Sequence, residues 1–183
     1  MDIVGPFDNS KERFAICLID YFSKWPEVRL CSNVCSENII DFLDEIFSRE
    51  GLPKEIVTDN GVQFVSHEFE NYLKSKGIRH LKSAIYNPKS NGSVERFNKN
   101  IKTILQIANI ERRPLKNILR EFLMNDRCTK LGTTNTSPSD LLHKRGMRSL
   151  IGTNVSSEST SIKSYVEHKQ STMKNYYDHR NRV

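Results

Sequence analysis

Hydrophobic periodicity changes at Ser36, and that change restricts what this chain can fold into more than any other feature of it. Ahead of Ser36 the apolar residues come in short runs broken by turn residues. Phe14-Ala-Ile-Cys-Leu-Ile19 is continuous, as expected of a strand covered on both faces. Asp2–Val4 is stopped by Gly5-Pro6, Asp8-Asn9-Ser10 reads as a turn, and Glu27–Cys31 follows Trp25-Pro26 as a third strand. Together these pieces predict an antiparallel meander.

From Ser36 onward Ile39, Ile40, Leu43, Ile46 and Phe47 recur at helical spacing until Gly51-Leu-Pro53 stops the helix. Glu55–Thr58 predicts a short strand ending in Asp59-Asn60-Gly61. A helix then runs from about Ser66 to Lys76 with Gly77 at its end, and Ile78–Leu81 is another strand. After the polar stretch Tyr86–Gly92, a long helix carries Val94, Phe97, Ile101, Ile104, Leu105 and Ala108 on one face, and Pro114 opens a further helix to about Lys130. Three strands followed by alternating helices and strands predict an α/β fold with mixed parallel and antiparallel pairing. Past Leu131 the pattern weakens. Thr133–Ser139 reads as a loop, Pro138–His143 as one helical turn, Gly152–Ser161 as a Ser/Thr-rich linker and Lys163–Arg180 as a lone basic helix.

The 183 residues suffice for one domain with a short appendage, and no apolar run approaches the roughly 20 residues of a membrane span. Neither a basic stretch nor an apolar core of a signal peptide opens the chain. Cys17, Cys31, Cys35 and Cys128 form no CxxC pair, which predicts reduced thiols in an intracellular protein. No Cys/His set has zinc spacing, so His67 and His80 read as surface or packed histidines. The net charge of +6 is divided unevenly: residues 1–78 hold 8 Lys+Arg and 14 Asp+Glu, a balance of −6, and residues 79–183 hold 20 and 8, a balance of +12. A basic second half points to a polyanionic partner.

Two acids stand in informative places. Asp59 leaves the end of a strand, where ligand sites in such sheets gather, although Asp-Asn-Gly is also an ordinary turn. Glu95 opens the long helix off its apolar stripe, with Lys99 and Lys102 following on the same face. That stripe suits either a solvated face with an ion pair or a metal ligand beside phosphate-binding lysines.

Val57-Thr-Asp-Asn-Gly-Val-Gln-Phe64, followed by Tyr86-Asn-Pro-Lys-Ser-Asn-Gly-Ser-Val-Glu-Arg-Phe97, resembles the catalytic core of retroviral and retrotransposon integrases, most closely the gypsy-type branch. Asp59 and Glu95 stand at the interval of that family's D,D-35-E motif. Met1-Asp-Ile-Val-Gly-Pro-Phe7 and Asp20-Tyr-Phe-Ser-Lys-Trp-Pro-Glu27 are similar to its first strands, and Ser137-Pro-Ser-Asp-Leu-Leu142 to a later segment. The resemblance implies a ribonuclease-H-like fold, a mixed five-stranded sheet flanked by helices, with residues 1–145 as the catalytic core and 146–183 as a basic linker and C-terminal helix. Asp2, Asp59 and Glu95 would then be the catalytic and metal-binding acids, with Asp20 the runner-up for the first position. Carboxylates that converge repel one another, and Mg²⁺ or Mn²⁺, two ions in such a site, would relieve this.

By the same resemblance the chain would trim DNA 3′ ends and transfer them to target DNA, as a nuclear homo-oligomer without membrane association. Lys99, Lys102, Asn91 and Gln63 would contact the DNA, and the Tyr86–Gly92 loop would settle on binding it. Asn87 replaces the histidine usual in the family's Tyr-His-Pro stretch, and the family's zinc-binding and C-terminal domains are not seen. With only Met1 ahead of Asp2, the first strand is expected to fray. These departures leave two other readings open: a decayed or domesticated core that binds DNA or assembles without catalysis, and a stand-alone nuclease.

Overall fold

A computed structural model describes residues 1–7, 11–82, 92–149 and 171–172, with the backbone alone for 92–95. The Asp8–Ser10 turn, the Tyr86–Asn91 stretch and most of the expected tail after residue 149 lie outside the described residues. The chain forms two compact units, Met1–Ile19 with Pro26–Arg112, and Asp20–Trp25 with Arg113–Val183.

In the first unit β1 (Asp2–Val4), β2 (Phe14–Ile19) and β3 (Pro26–Cys31) form the expected antiparallel meander. Asp2 lies opposite Cys17, and Ile16 opposite Arg29. The reversal between β1 and β2 needs Gly5: its φ is +138°, and a Cβ there would stand 2.5 Å from the Arg13 carbonyl. β4 (Glu55–Thr58) and β5 (Arg79–Lys82) pair in parallel, with Ile56 opposite His80 and Thr58 opposite Lys82. Two sheets result, of three and two strands. They are linked by the Met1 nitrogen, which donates to the Val57 carbonyl at 2.7 Å. Met1 is 4% exposed, so a buried side chain and a cross-strand hydrogen bond meet the start of the first strand.

Helices α1 (Ser36–Glu50) and α2 (His67–Ser75) bury Ile39, Leu43, Phe69 and Leu73 together with Ile16, Ile56 and Phe64. Side chains of this size contribute about 1.5–3 kcal/mol each on full burial. Ser66 caps α2, its hydroxyl accepting from the Phe69 amide at 3.2 Å, and Gly51 closes α1 in the left-handed region at φ +83°. Helix α3 (Gly92–Glu111) packs on β1 and β2 through Phe97, Ile101, Ile104 and Ala108.

The second unit contains α4 (Leu115–Cys128) and α5 (Pro138–His143). α4 buries Ile118, Leu119, Leu123 and Cys128. The Arg127 guanidinium lies 4.4 Å over the Trp25 ring, and His143 meets the same indole edge-on at 4.7 Å. All four cysteines are free.

Candidate active site

The carboxylate of Asp2 opens β1, and both of its oxygens are engaged. Oδ1 accepts from the Ile3 amide at 2.8 Å, and Oδ2 accepts from the Asn98 side-chain amide at 2.5 Å. Asn98 comes from α3, whose apolar stripe seats the helix on β1 and β2 and so turns this position toward the strand end. Its own carbonyl oxygen, Oδ1, is buried and has no partner among the described residues.

Asp59 follows the last residue of β4. Its Oδ1 accepts from the Gly61 amide at 3.0 Å, so the Asp-Asn-Gly segment is the turn its composition suggests as well as a strand end. The Met1–Val57 hydrogen bond joins the two segments that carry these acids. Asp2 is one residue past its donor, and Asp59 is two residues past its acceptor. Burial lowers the pKa of the Met1 amine, while the Asp2 and Asp59 carboxylates both act on it in the opposite sense.

Glu95 lies in the first turn of α3, three residues before Asn98 and so on the same side of the helix; its side chain lies outside the described residues. Lys99 and Lys102 are exposed further along. Gln63 is half-buried in the loop after Asp59, and its main-chain carbonyl accepts from the Ser36 hydroxyl at 3.2 Å and the Ser66 hydroxyl at 3.0 Å. Asn91 lies outside the described residues. Asp20 belongs to the second unit, where its Oδ2 accepts from the Ser23 amide at 2.7 Å and the Ser23 hydroxyl at 2.6 Å. Its carboxylate closes the β2–β3 turn.

The arrangement has two parts that sequence reasoning missed. One is Asn98, whose only signal is its place one turn after Glu95. The other is the pair Thr58 and His80, joined at 2.8 Å between the Thr58 hydroxyl and the imidazole Nε2. The carboxylates of Asp2 and Asp59, held at neighbouring strand ends, offer the oxygen donors that a hard cation takes.

Residues 1–88 match the integrase core domain family. An uncharacterized protein of Caenorhabditis elegans is 32% identical over 182 residues, which is 99% of this chain and 14% of that protein. The chain spans only 5% to 16% of the length of the curated relatives it matches, Pol-type polyproteins of retroviruses among them. Its fold is similar to the simian T-cell lymphotropic virus intasome in complex with the PP2A regulatory subunit B56 gamma, with a TM-score of 0.65 at 27% identity over 80% of this chain and 53% of that one. It is also similar to the HTLV-2 integrase catalytic core domain in complex with magnesium, with a TM-score of 0.60 at 26% identity over 71% of this chain and 84% of that one. Motif, sequence match and fold agree, and residues 1–88 of this chain belong to the integrase core domain family.

Proposed function

We propose that this chain is a divalent-metal-dependent polynucleotidyl transferase that trims DNA 3′ ends and joins them to a target duplex. The observation that carries this reading is the hydrogen bond that joins the start of β1 to β4 next to Asp2 and Asp59, with Asn98 of α3 donating to Asp2.

The donor chemistry fits Mg²⁺ or Mn²⁺. Asp2, Asp59 and Glu95 offer carboxylate oxygens only, with no thiolate or imidazole to favour a softer ion. The amide of Asn98 donates to Asp2 Oδ2 and the amide of Gly61 to Asp59 Oδ1, so each carboxylate is held by a donor. When bound, two such ions would supply Lewis-acid stabilisation at the phosphate and a more reactive attacking oxygen. The HTLV-2 relative, seen with magnesium, supports this assignment.

The chain's own residues do the positioning. Asn98 holds the Asp2 carboxylate in one orientation. Lys99 and Lys102 meet the phosphates beside the scissile bond, and Gln63 and Asn91 donate to the DNA near it. Hydrolysis and strand transfer differ only in whether water or a 3′-hydroxyl attacks, so one site serves both. We read the two sheets as one mixed five-stranded sheet in the order β3-β2-β1-β4-β5, a reading supported by the Met1–Val57 hydrogen bond. Residues 1–145 then make up the core and 146–183 a basic appendage. The HTLV-2 core is described in dimeric and trimeric forms, which supports a homo-oligomer here too.

The test is incubation of the full chain with labelled duplex DNA in Mg²⁺ or Mn²⁺. Nicking or joined products are expected, and Glu95→Gln should abolish them while leaving DNA binding in place. Products undiminished in that variant would overturn the mechanism. A wild type that binds DNA but leaves it intact in both metals would favour a non-catalytic assembly module instead.

A further inference from the structure

The β4–β5 ladder ends at Thr58 opposite Lys82, one residue short of Asp59. The Asp59 backbone therefore leaves the sheet just where its carboxylate must be held still. What restrains it among the described residues is a pair of hydrogen bonds. Gly61 donates to its Oδ1, and the Thr58 hydroxyl donates to its main-chain carbonyl at 2.8 Å. Orienting that carbonyl orients the Asp59–Asn60 peptide plane, and with it the direction in which the side chain leaves the backbone.

Thr58 is 0% exposed, so its hydroxyl has no water to turn to. A hydroxyl has one proton, and the Asp59 carbonyl can only accept; the proton of Thr58 is spent there. The 2.8 Å contact to His80 Nε2 is then a bond in which the imidazole donates and the Thr58 oxygen accepts. The reverse assignment would leave no proton between the Thr58 and Asp59 oxygens 2.8 Å apart and would leave a buried Nδ1–H without an acceptor. With Nε2 protonated, the atom left unpartnered among the described residues is the Nδ1 lone pair, a cheaper loss than an orphaned donor. His80 reaches this place because it pairs with Ile56, two residues before Thr58, so both side chains lie on the same face of the sheet. Phe69 of α2 meets the ring edge-on at 5.4 Å on that face.

We propose that His80 is a positioning residue for Asp59, its Nε2–H fixing the Thr58 hydroxyl that in turn holds the Asp59 main chain. The proposal rests on Asp59 being a metal ligand. Linked donors of this kind polarise one another, so removing the first weakens the second.

The experiment is calorimetric titration of Mn²⁺ into the metal-free full chain, with thermal unfolding and DNA binding in EDTA measured alongside. His80→Leu and Thr58→Val should each weaken Mn²⁺ binding by about tenfold, the effect typical of groups that orient a metal's ligands. DNA binding in EDTA should not change. His80→Gln keeps an N–H at the same reach and Thr58→Ser keeps the hydroxyl, so both should bind Mn²⁺ as wild type does. The His80→Leu/Thr58→Val double variant should lose no more than the worse single one, because both interrupt one chain of bonds. Should the leucine variant fail to fold, His80→Asn, whose amide is too short to reach Thr58, takes its place.

Asp59→Asn is the reference. Mn²⁺ affinity lost in Asp59→Asn but retained in both His80→Leu and Thr58→Val would overturn the relay alone. Affinity retained in Asp59→Asn itself would overturn the metal-site reading and the relay with it. Lowered thermal midpoints with unchanged Mn²⁺ affinity would mark the contact as purely structural and overturn the proposal.

Discussion

At the scale of single residues, Asn98 is the most exposed to test. Its amide donates to Asp2 while its carbonyl oxygen is buried without a partner among the described residues, so its orientation is set from the Asp2 side. Asn98→Ala should lower DNA cleavage by about 10- to 100-fold, as expected when a ligand loses the group that orients it. Asn98→Asp, which removes the donor and sets a second carboxylate against Asp2, should lower cleavage at least as far as the alanine variant. Cleavage left at the wild-type level in both variants would show that the two groups do not meet during the reaction. Cys17 faces Asp2 across β1 and β2, and burial pushes its thiol up to about 12, so it stays neutral beside the site.

Among the elements, much of the architecture is legible in the order of residues. The unbroken run Phe14–Ile19 is β2, because a covered strand needs continuous apolar side chains, and Glu55–Thr58, between Pro53 and Asp59-Asn60-Gly61, is β4. Gly51 and Gly77 stand where α1 and α2 end, both at positive φ. The contacts that make the site are a different matter. Asn98 meets Asp2 across 96 residues and His80 meets Thr58 across 22, and no periodicity records which side chains converge at a strand end. Asp20 shows the converse: an acid in a motif-like setting whose carboxylate is used to close its own turn.

The β4–β5 pair carries its own pH dependence. Burial lowers the His80 pKa, the nearby Lys82 charge adds to this, and Glu70 opposes it. The unfolded chain therefore binds a proton more readily than the folded one. Stability is lost as pH falls through the ordinary histidine value of 6.5, and the loss is complete below the lowered folded value. Urea midpoints compared between about pH 7 and about pH 5 should fall more for wild type than for His80→Gln, which has no proton to take up.

Over the whole molecule, charge and site divide the chain in complementary ways. The −6 stretch, residues 1–78, contains Asp2 and Asp59; the +12 stretch contains Glu95, Lys99 and Lys102. Binding to duplex DNA should accordingly weaken steeply with salt. Replacing Lys99 and Lys102 together by alanine should flatten the log–log slope by roughly 1.8, about 0.9 for each phosphate contact released. An unchanged slope in fluorescence anisotropy would remove that helix face from the interface.

β5 has a further consequence. Among the described residues it pairs with β4 alone, and its exposed ends are Arg79, ion-paired with Glu55, and Lys82, 2.6 Å from Glu70. An outer strand with charged side chains resists recruiting a strand from another molecule. Arg79→Val with Lys82→Val would leave Leu81 in a flat apolar ribbon, and light scattering should then rise with protein concentration. The two cations that border the sheet would thus keep its outer edge from pairing with the same edge of another copy.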